Sequence, residues 1–375
     1  MYPLYLKSFV RLFPLPSSRL YKIRYNPIII MTNLPLSRRD FLKLSGAGIL
    51  GAFLAELHLD RALAASTASQ GRMTQSGIYL YSEPNFNAKT SHIFGRDEVV
   101  NITDEVDGDF GNPYNKKWYQ VNNEGYTYSG WVQPVETNYQ KSSFQVPATG
   151  QLGEITVPFS DTHHSPNFWG DRGYRIYYAT THWVTGVSVN RYEKGVWYEI
   201  YDNELKQSFF VPSTNMRLVP DDELTLLSPD VPDTQKHIYV DLATQSVTAF
   251  EGDKAVLVTR CSSGGKGTNT PIGEFKTFHK GPTIHMTNDG EVGAGQGYDL
   301  PGVPWVSFFT GTGVSFHGTY WHNDYGKPRS HGCVNLPSDA AKFLYRWTRP
   351  EVPPDTDYLH LPGQGTQVKI MSIIE

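Results

Sequence analysis

From Gly77 onward the chain is written in short runs whose apolar and polar positions alternate, each closed by turn residues. "GIYLYSEPN" reads as a strand and a turn, "DEVVNITDEVDG" as a strand ending at Gly108, and "KWYQV" and "YSGWVQPV" as two more. No helical period is sustained here, so the pattern predicts a small barrel of about sixty residues. The pattern then partly repeats: "RIYYATTHW" parallels "IYLYSEPNF", and "VWYEIYD" parallels "KWYQVNN", placing Trp197 where Trp118 stood. "SFFVPSTNMRLV" follows in the place of "SGWVQPVET". Such weak duplication predicts two related β-modules in tandem. A third block opens with "KHIYVDLATQSVTAFEGDKAVLVTRCSSGG", two alternating strands about a turn at Glu251–Asp253, with Ile238, Val240 and Leu242 on one face. One segment has the helical period: in "PSDAAKFLYRWTRPE", Ala340, Phe343, Leu344 and Trp347 share a face, and Asp339 sits in the first turn. The fold class expected is mainly β with one helix.

Composition supports that reading. Aromatics make up 13% of 375 residues, and 34 Gly with 25 Pro favour short strands and turns over long helices. Two cysteines cannot build a disulfide framework or a cysteine-rich zinc site. Near the N-terminus, "SRRDFLK" precedes an apolar stretch from Leu44 to Leu54, and Ala62 and Ala64 follow at a spacing a signal peptidase accepts. With Arg38, Arg39, Phe41 and Leu42, this segment resembles a twin-arginine export signal. Glu56, His58, Asp60 and Arg61 cut the apolar run well below the ~18 residues a membrane span needs. Met31 offers a second candidate start. Removing residues 1–65, which are rich in Lys and Arg, makes the formal charge more negative than the −4 of the whole chain. An acidic mature protein is a poor partner for nucleic acid.

The expected organisation is a signal region at 1–65, a polar linker at 66–76, β-modules at 77–137 and 148–222, and a C-terminal domain at 236–375. "LLSPDVPDTQ" marks the last boundary. The first module resembles bacterial SH3-like domains through its opening aromatic strand, W-x-x-V and G-W-V, and the second does so more loosely. Tyr79, Tyr81, Trp118 and Trp131 are core residues on the plain reading and a wall-ligand groove on the sharper one. His163 and His164 lie in a Ser/Asp/Pro-rich stretch where adjacent side chains point opposite ways, and they read as solvated loop histidines.

The chemistry sits in "VSFHGTYWHNDYGKPRSHGCVNL". Cys333 can be a nucleophile, a metal ligand, half of a disulfide or a small buried hydrophobe. Export puts the thiol outside the cytosol, where an idle free cysteine is a liability. A thiol with a pKa near ~8.5 needs an adjacent base to react at neutral pH, and His317 and His331 compete for that role. His331, two residues from Cys333, need not face the sulfur, whereas His317 lies on a separate β-run that can cross beside it. The run H-G-T, G-K-P, S-H-G-C-V-N resembles the active-site pattern of L,D-transpeptidase (YkuD-type) catalytic domains. "VDL-x-x-Q", "S-x-G" and "TP-x-GEF" upstream extend the resemblance over residues 236–375.

The resemblance implies a peptidoglycan L,D-transpeptidase, exported to the periplasm or cell wall, that forms 3→3 cross-links through a cysteine acyl-enzyme with release of D-Ala. Its partners would be donor and acceptor stem peptides, with wall binding by the SH3-like modules and no metal or organic cofactor. It assigns Cys333 as nucleophile, His317 as base and the Gly318 carbonyl as the group orienting the imidazole. Gly332 and Cys333 would offer N–H groups to the oxyanion. Ser330 and Asn335 would orient the loop, and His331 would shape the turn or donate a hydrogen bond to substrate. Arg329 and Lys327 are candidates for the substrate carboxylate. The Gly-rich stretch 279–305 suits a lid, with His285, Met286, Tyr298 and Trp305 as candidates for the groove wall, although Trp305 reads first as a packing residue. Cys261 reads as a small buried residue at a strand end. Zinc on His317, His322, His331 and Cys333 is the weaker reading. The alternatives are an L,D-carboxypeptidase, which gives the same acyl-enzyme to water, and a non-catalytic wall-binding protein.

Overall fold

The computed structural model describes residues 69–288 and 297–372. The export signal expected at 1–65 lies outside the described residues. The protein is mainly β, with one α-helix among the described residues.

Two seven-stranded sheets come first, and they share one strand order. In the first, the order is Thr90–Phe94, Ile78–Tyr81, Gly125–Tyr128, Asn115–Val121, Val99–Asn112, Gln70–Met73, Val132–Val135. In the second it is Arg172–Tyr177, Phe159–His163, Gln207–Pro212, Gly195–Asp202, Thr181–Asn190, Gln151–Ile155, Met216–Leu218. Both carry a single 3-10 turn before the last strand, Ser129–Trp131 and Ser213–Asn215. Trp118 and Trp197 are fully buried at equivalent places, so packing accounts for both. The counterpart of Ile78–Tyr81 is Phe159–His163 rather than the "RIYY" run.

Two expectations need correction here. Residues 70–73, placed in a linker, form a strand between Val99–Asn112 and Val132–Val135, and Arg72 in it is buried. "QGRM" carries little apolar signal, and its burial is decided by partners far along the chain. His163 is buried at the end of a strand, with its ring against Trp197 and Phe168, whereas His164 bonds Gln207 near the surface. Alternation along the strand sends these two adjacent rings to opposite faces, and one of those faces is the core.

The C-terminal domain has two five-stranded sheets. One runs Lys254–Arg260, Ser246–Glu251, Lys236–Asp241, Gln367–Met371, Gly273–Lys276; the other runs Val334–Leu336, Ser315–Gly318, Asp299–Phe308, His279–Thr287, Leu359–His360. Ile238, Val240, Val247, Leu257, Val368 and Ile370 of the first sheet meet Trp305, Phe316, Val334 and Leu336 of the second in one core. The helix Ser338–Trp347 follows the cysteine strand and contributes Ala340, Phe343, Leu344 and Trp347 to that core, the face the periodicity predicts. Its last carbonyls receive two buried ammonium groups: Lys280 donates to Tyr345, Thr348 and Pro350, and Lys236 donates to Trp347 and Leu227. Cations at the negative end of a helix complement its dipole. The stretch read as a lid is a long antiparallel pair, His279–Thr287 with Asp299–Phe308, and residues 289–296 between them lie outside the described residues.

Candidate active site

Strands Ser315–Gly318 and Val334–Leu336 pair in parallel, with Phe316 opposite Val334 and His317 opposite Asn335. The two-residue side-chain period sends Phe316, Val334 and Leu336 into the core and keeps Ser315, His317 and Cys333 together on the other face. This pairing brings the two halves of the "FHGT…SHGC" run into contact.

Cys333 is half-buried and unpaired in any disulfide. Its sulfur lies 3.5 Å from the Ser315 hydroxyl and faces the Gly313 carbonyl at 3.6 Å, and His317 is close enough to act on its ionisation. His317 is buried, and its Nδ1 lies 2.9 Å from the Gly318 carbonyl oxygen. A carbonyl only accepts, so Nδ1 carries the hydrogen and Nε2 is left with a lone pair for the thiol proton. Burial by itself would raise the Cys333 thiol; the hydrogen bond and charge of His317, with Ser315, outweigh it and hold the pKa below its ordinary value. Gly318 must be glycine: a Cβ there would sit 2.8 Å from Pro304 Cγ and 3.0 Å from Ser338 Oγ. Ser315 was not singled out from sequence, although its place two residues before His317 on a strand was a usable signal.

The turn before Cys333 is built on hydroxyl groups. Ser330 Oγ accepts the Gly332 N–H at 3.0 Å and donates to the Cys333 carbonyl, clamping both sides of the turn. The Gly332 N–H, expected to face an oxyanion, is therefore already engaged. Gly332 has φ +124°, a conformation that side-chain-bearing residues rarely adopt. Thr270 Oγ1 donates to the Gly332 carbonyl at 2.7 Å, and Thr268 Oγ1 to the Ser330 carbonyl at 3.1 Å. The Arg329 and Ser330 N–H groups both donate to the Ser263 carbonyl, at 2.9 and 3.0 Å. Thr268 and Thr270 lie in the "GKGTNTP" loop, where sequence gave no way to tell which hydroxyls would reach the turn.

The other expected residues divide. His331 is exposed and its ring lies 5.2 Å from that of Tyr298; the sulfur's hydrogen bonds are with Ser315 and Gly313, and the imidazole that lowers its pKa is that of His317. Tyr298 is half-buried beside the thiol, and burial with the Cys333 charge raises its phenol. Trp305 is not in the groove: it is 1% exposed, packs on Tyr345 and lies under the Lys342 ammonium at 5.0 Å. Its φ of +61° interrupts the alternation that would have turned it outward. His285 is also diverted, with one ring nitrogen 2.8 Å from Asp202 of the second module and the other against Asp299. Arg329 and Lys327 both pair with the buried Asp324, so both are engaged within their own loop, although one carboxylate offsets only one of the two charges.

Asn335 is buried, 3.1 Å from His322 Nε2. Burial drives the His322 imidazole down to about 3, so the ring is neutral. Its Nδ1 accepts the Asp324 N–H at 3.3 Å. Nε2 therefore carries the hydrogen, and because two donors cannot face each other, the Asn335 amide placed with Nδ2 toward it is assigned the flipped orientation, which also gives the unpartnered amide oxygen an N–H to accept. Asn335 thus ties the cysteine strand to the loop before it. Cys261 is fully buried in the core, and burial pushes its thiol up. Among the described residues, no group of three or more His, Cys, Asp or Glu is arranged to hold a metal ion.

A half-exposed thiol whose pKa is lowered by a neighbouring buried imidazole, with a carbonyl fixing the tautomer of that imidazole, is a constellation suited to cysteine acyl transfer. Residues 235–370 match the YkuD family, the L,D-transpeptidase catalytic domain. The family is one of cysteine-dependent L,D-transpeptidases acting on peptidoglycan. Similar solved structures include an L,D-transpeptidase from Stackebrandtia nassauensis, 22% identical over 41% of this chain and 60% of that one, with a TM-score of 0.27. Another is the L,D-transpeptidase of Mycobacterium smegmatis, at 17% identity over 50% and 81% of the two chains and a TM-score of 0.31. The catalytic domain of the E. faecium L,D-transpeptidase is 28% identical over 36% of this chain and 96% of its own length, with a TM-score of 0.29. The chain spans 60% of the Stackebrandtia protein's length. No curated protein matches.

Proposed function

We propose that the protein is a peptidoglycan L,D-transpeptidase forming 3→3 cross-links, with Cys333 as nucleophile and His317 as base. The observation that carries this is the placing of Cys333 and His317 on one face of paired strands, where His317 lowers the thiol pKa and has its Nδ1 held by the Gly318 carbonyl at 2.9 Å. The Cys333 sulfur gives its proton to His317 Nε2 and attacks the carbonyl carbon of the L,D peptide bond, between the diamino acid and the terminal D-Ala of a tetrapeptide stem. The oxyanion takes the Cys333 N–H, since the Gly332 N–H is bound to Ser330. Collapse of the tetrahedral adduct breaks the C–N bond, and D-Ala leaves as an amine with the proton held on His317. The side-chain amine of a second stem then attacks the thioester, gives its proton to His317 and regenerates the thiol. Tyr298 and His331 line the mouth where the stems enter.

The remaining assignments belong to the same proposal. The N-terminal segment exports the chain by the twin-arginine route, and the two modules are SH3-like units that hold it to the wall. Among the described residues, no helix is long and apolar enough to cross a membrane.

The test is incubation with a defined tetrapeptide stem, read by mass spectrometry, beside Cys333→Ala. Loss of D-Ala with a dimeric product is expected from wild type and neither from the variant. A trimmed monomer alone would make the enzyme an L,D-carboxypeptidase. An adduct of a carbapenem-type acylating agent that forms equally on Cys333→Ala would refute the nucleophile.

A further inference from the structure

Between the base and the nucleophile the chain makes one excursion, Thr319 to Arg329, and at its centre Asp324 is fully buried. Its two carboxylate oxygens serve different parts of the molecule. Oδ2 receives the cations of its own loop, Lys327 Nζ at 2.9 Å and the Arg329 guanidinium. Oδ1 receives two neutral donors from the first β-module, the Tyr128 hydroxyl at 2.7 Å and Asn112 Nδ2 at 2.6 Å. The same module reaches this loop at further points. The buried Arg72, held by Asp97 and Gln133, donates to the Tyr320 carbonyl at 2.6 Å, and Asn112 also donates to the Tyr325 carbonyl at 3.1 Å. The Asn323 N–H donates to the Gly130 carbonyl at 3.1 Å.

From Asp324 two short connections lead to the reacting groups. One runs through Arg329, whose N–H shares the Ser263 carbonyl with Ser330, the residue that clamps Gly332 and Cys333. The other runs from the Asp324 N–H to His322 and on to Asn335, which lies two residues after the nucleophile and opposite His317 in the sheet. Removing one partner from a buried, fully satisfied charge network leaves the rest uncompensated, and the network moves to recover solvation.

We propose that Asp324 is a positioning residue for Cys333, and that the first module takes part in the acyl-transfer site by holding this carboxylate through Tyr128 and Asn112. The inference rests on the reading of Cys333 as nucleophile. With Asp324 neutralised, Arg329 and Lys327 lose their counter-charge and the start of the cysteine turn is released. The sulfur then loses its alignment on His317 and Ser315, the contacts that hold its pKa down.

The experiment reads thiol position without any substrate. On the full chain, the rate of Cys333 alkylation by iodoacetamide is followed against pH, with peptide mapping to separate it from the buried Cys261. The titratable groups around the sulfur are His317, Tyr298 and, beyond it, His331; those around Asp324 are Lys327, Arg329, Tyr128 and His322. Wild type is expected to titrate below the ordinary thiol value of about 8.5. Asp324→Asn is expected to raise that midpoint by at least about half a unit, toward the ordinary value, and Tyr128→Phe to move it the same way by less. Val184→Ala, in the core of the second module, is a control that lowers the melting temperature and leaves the midpoint in place. Wild-type midpoints in Tyr128→Phe and in folded Asp324→Asn would overturn the proposal, as would an equal shift in Val184→Ala. If Asp324→Asn does not fold, Tyr128→Phe decides alone. The two readings fail separately: a wild-type chain that forms no acyl-enzyme refutes acyl transfer, whereas the variant midpoints judge this inference.

Discussion

Ser330→Ala removes one hydroxyl and two hydrogen bonds, one on each side of the nucleophile's peptide unit. The Gly332 N–H loses its acceptor at 3.0 Å and the Cys333 carbonyl loses its donor. An ordinary hydrogen bond contributes about 0.5–1.5 kcal/mol net, so the pair is worth about 1–3 kcal/mol to the turn. Ser330 is only half-buried, and water can replace part of what is lost, which places the cost near 1–2 kcal/mol. If the turn must hold this shape in the transition state, acylation of Cys333 slows roughly 5- to 30-fold. The assay is the second-order rate of adduct formation with a carbapenem-type agent, followed by intact mass, beside a thermal melt to show that the fold survives. A rate equal to or above that of wild type would refute the reasoning. It would mean that the Gly332 N–H leaves Ser330 during reaction and serves the oxyanion, in which case freeing it beforehand does no harm.

Three further outcomes are expected. Trp305→Ala empties a core site and should cost about 3–5 kcal/mol in denaturant unfolding, while folded protein is acylated at the wild-type rate; unchanged stability with impaired acylation would return Trp305 to the groove. Gly332→Ala has room for its methyl, with Val314 Cγ2 nearest at 3.6 Å, but φ +124° costs about 1–3 kcal/mol in a residue with a Cβ; acylation at the wild-type rate would show that the turn can relax. His285 sits between Asp202 and Asp299; burial opposes its charge, but these two carboxylates prevail and raise its pKa. Its stabilisation is therefore complete below the unfolded value of about 6.5 and is lost as pH rises through the higher folded value. Urea midpoints of wild type should fall across that window and those of His285→Gln should be flatter, and a pH-independent wild type would contradict the assignment.

Local pattern carried much of this protein. Period-two alternation announced the β-modules, and their duplication emerged as a shared strand order. The 3.6-residue period marked the helix, and the "FHGT…SHGC" run named the thiol and its imidazole. These signals are legible because each depends on a backbone period or on residues within one segment. Other features needed the whole fold. "QGRM" looks like linker until two strands close around it, and between packing and groove wall only the fold places Trp305 in the core. Arg329 looks like a free cation for substrate until Asp324 is found beneath it. Ser315 and Ser330 are ordinary serines in sequence, and only the parallel pairing and the turn bring their hydroxyls to Cys333. The sequence by itself determined which atoms are the candidates for chemistry, because the thiol, the imidazole and the glycine turn are written in one short run. Tertiary structure alone decided how those atoms are held, because the Asp324 carboxylate meets Tyr128 and Asn112 across 196 and 212 residues of chain. A buried charge takes its partners from whatever the fold brings within about 3 Å, not from its neighbours in sequence.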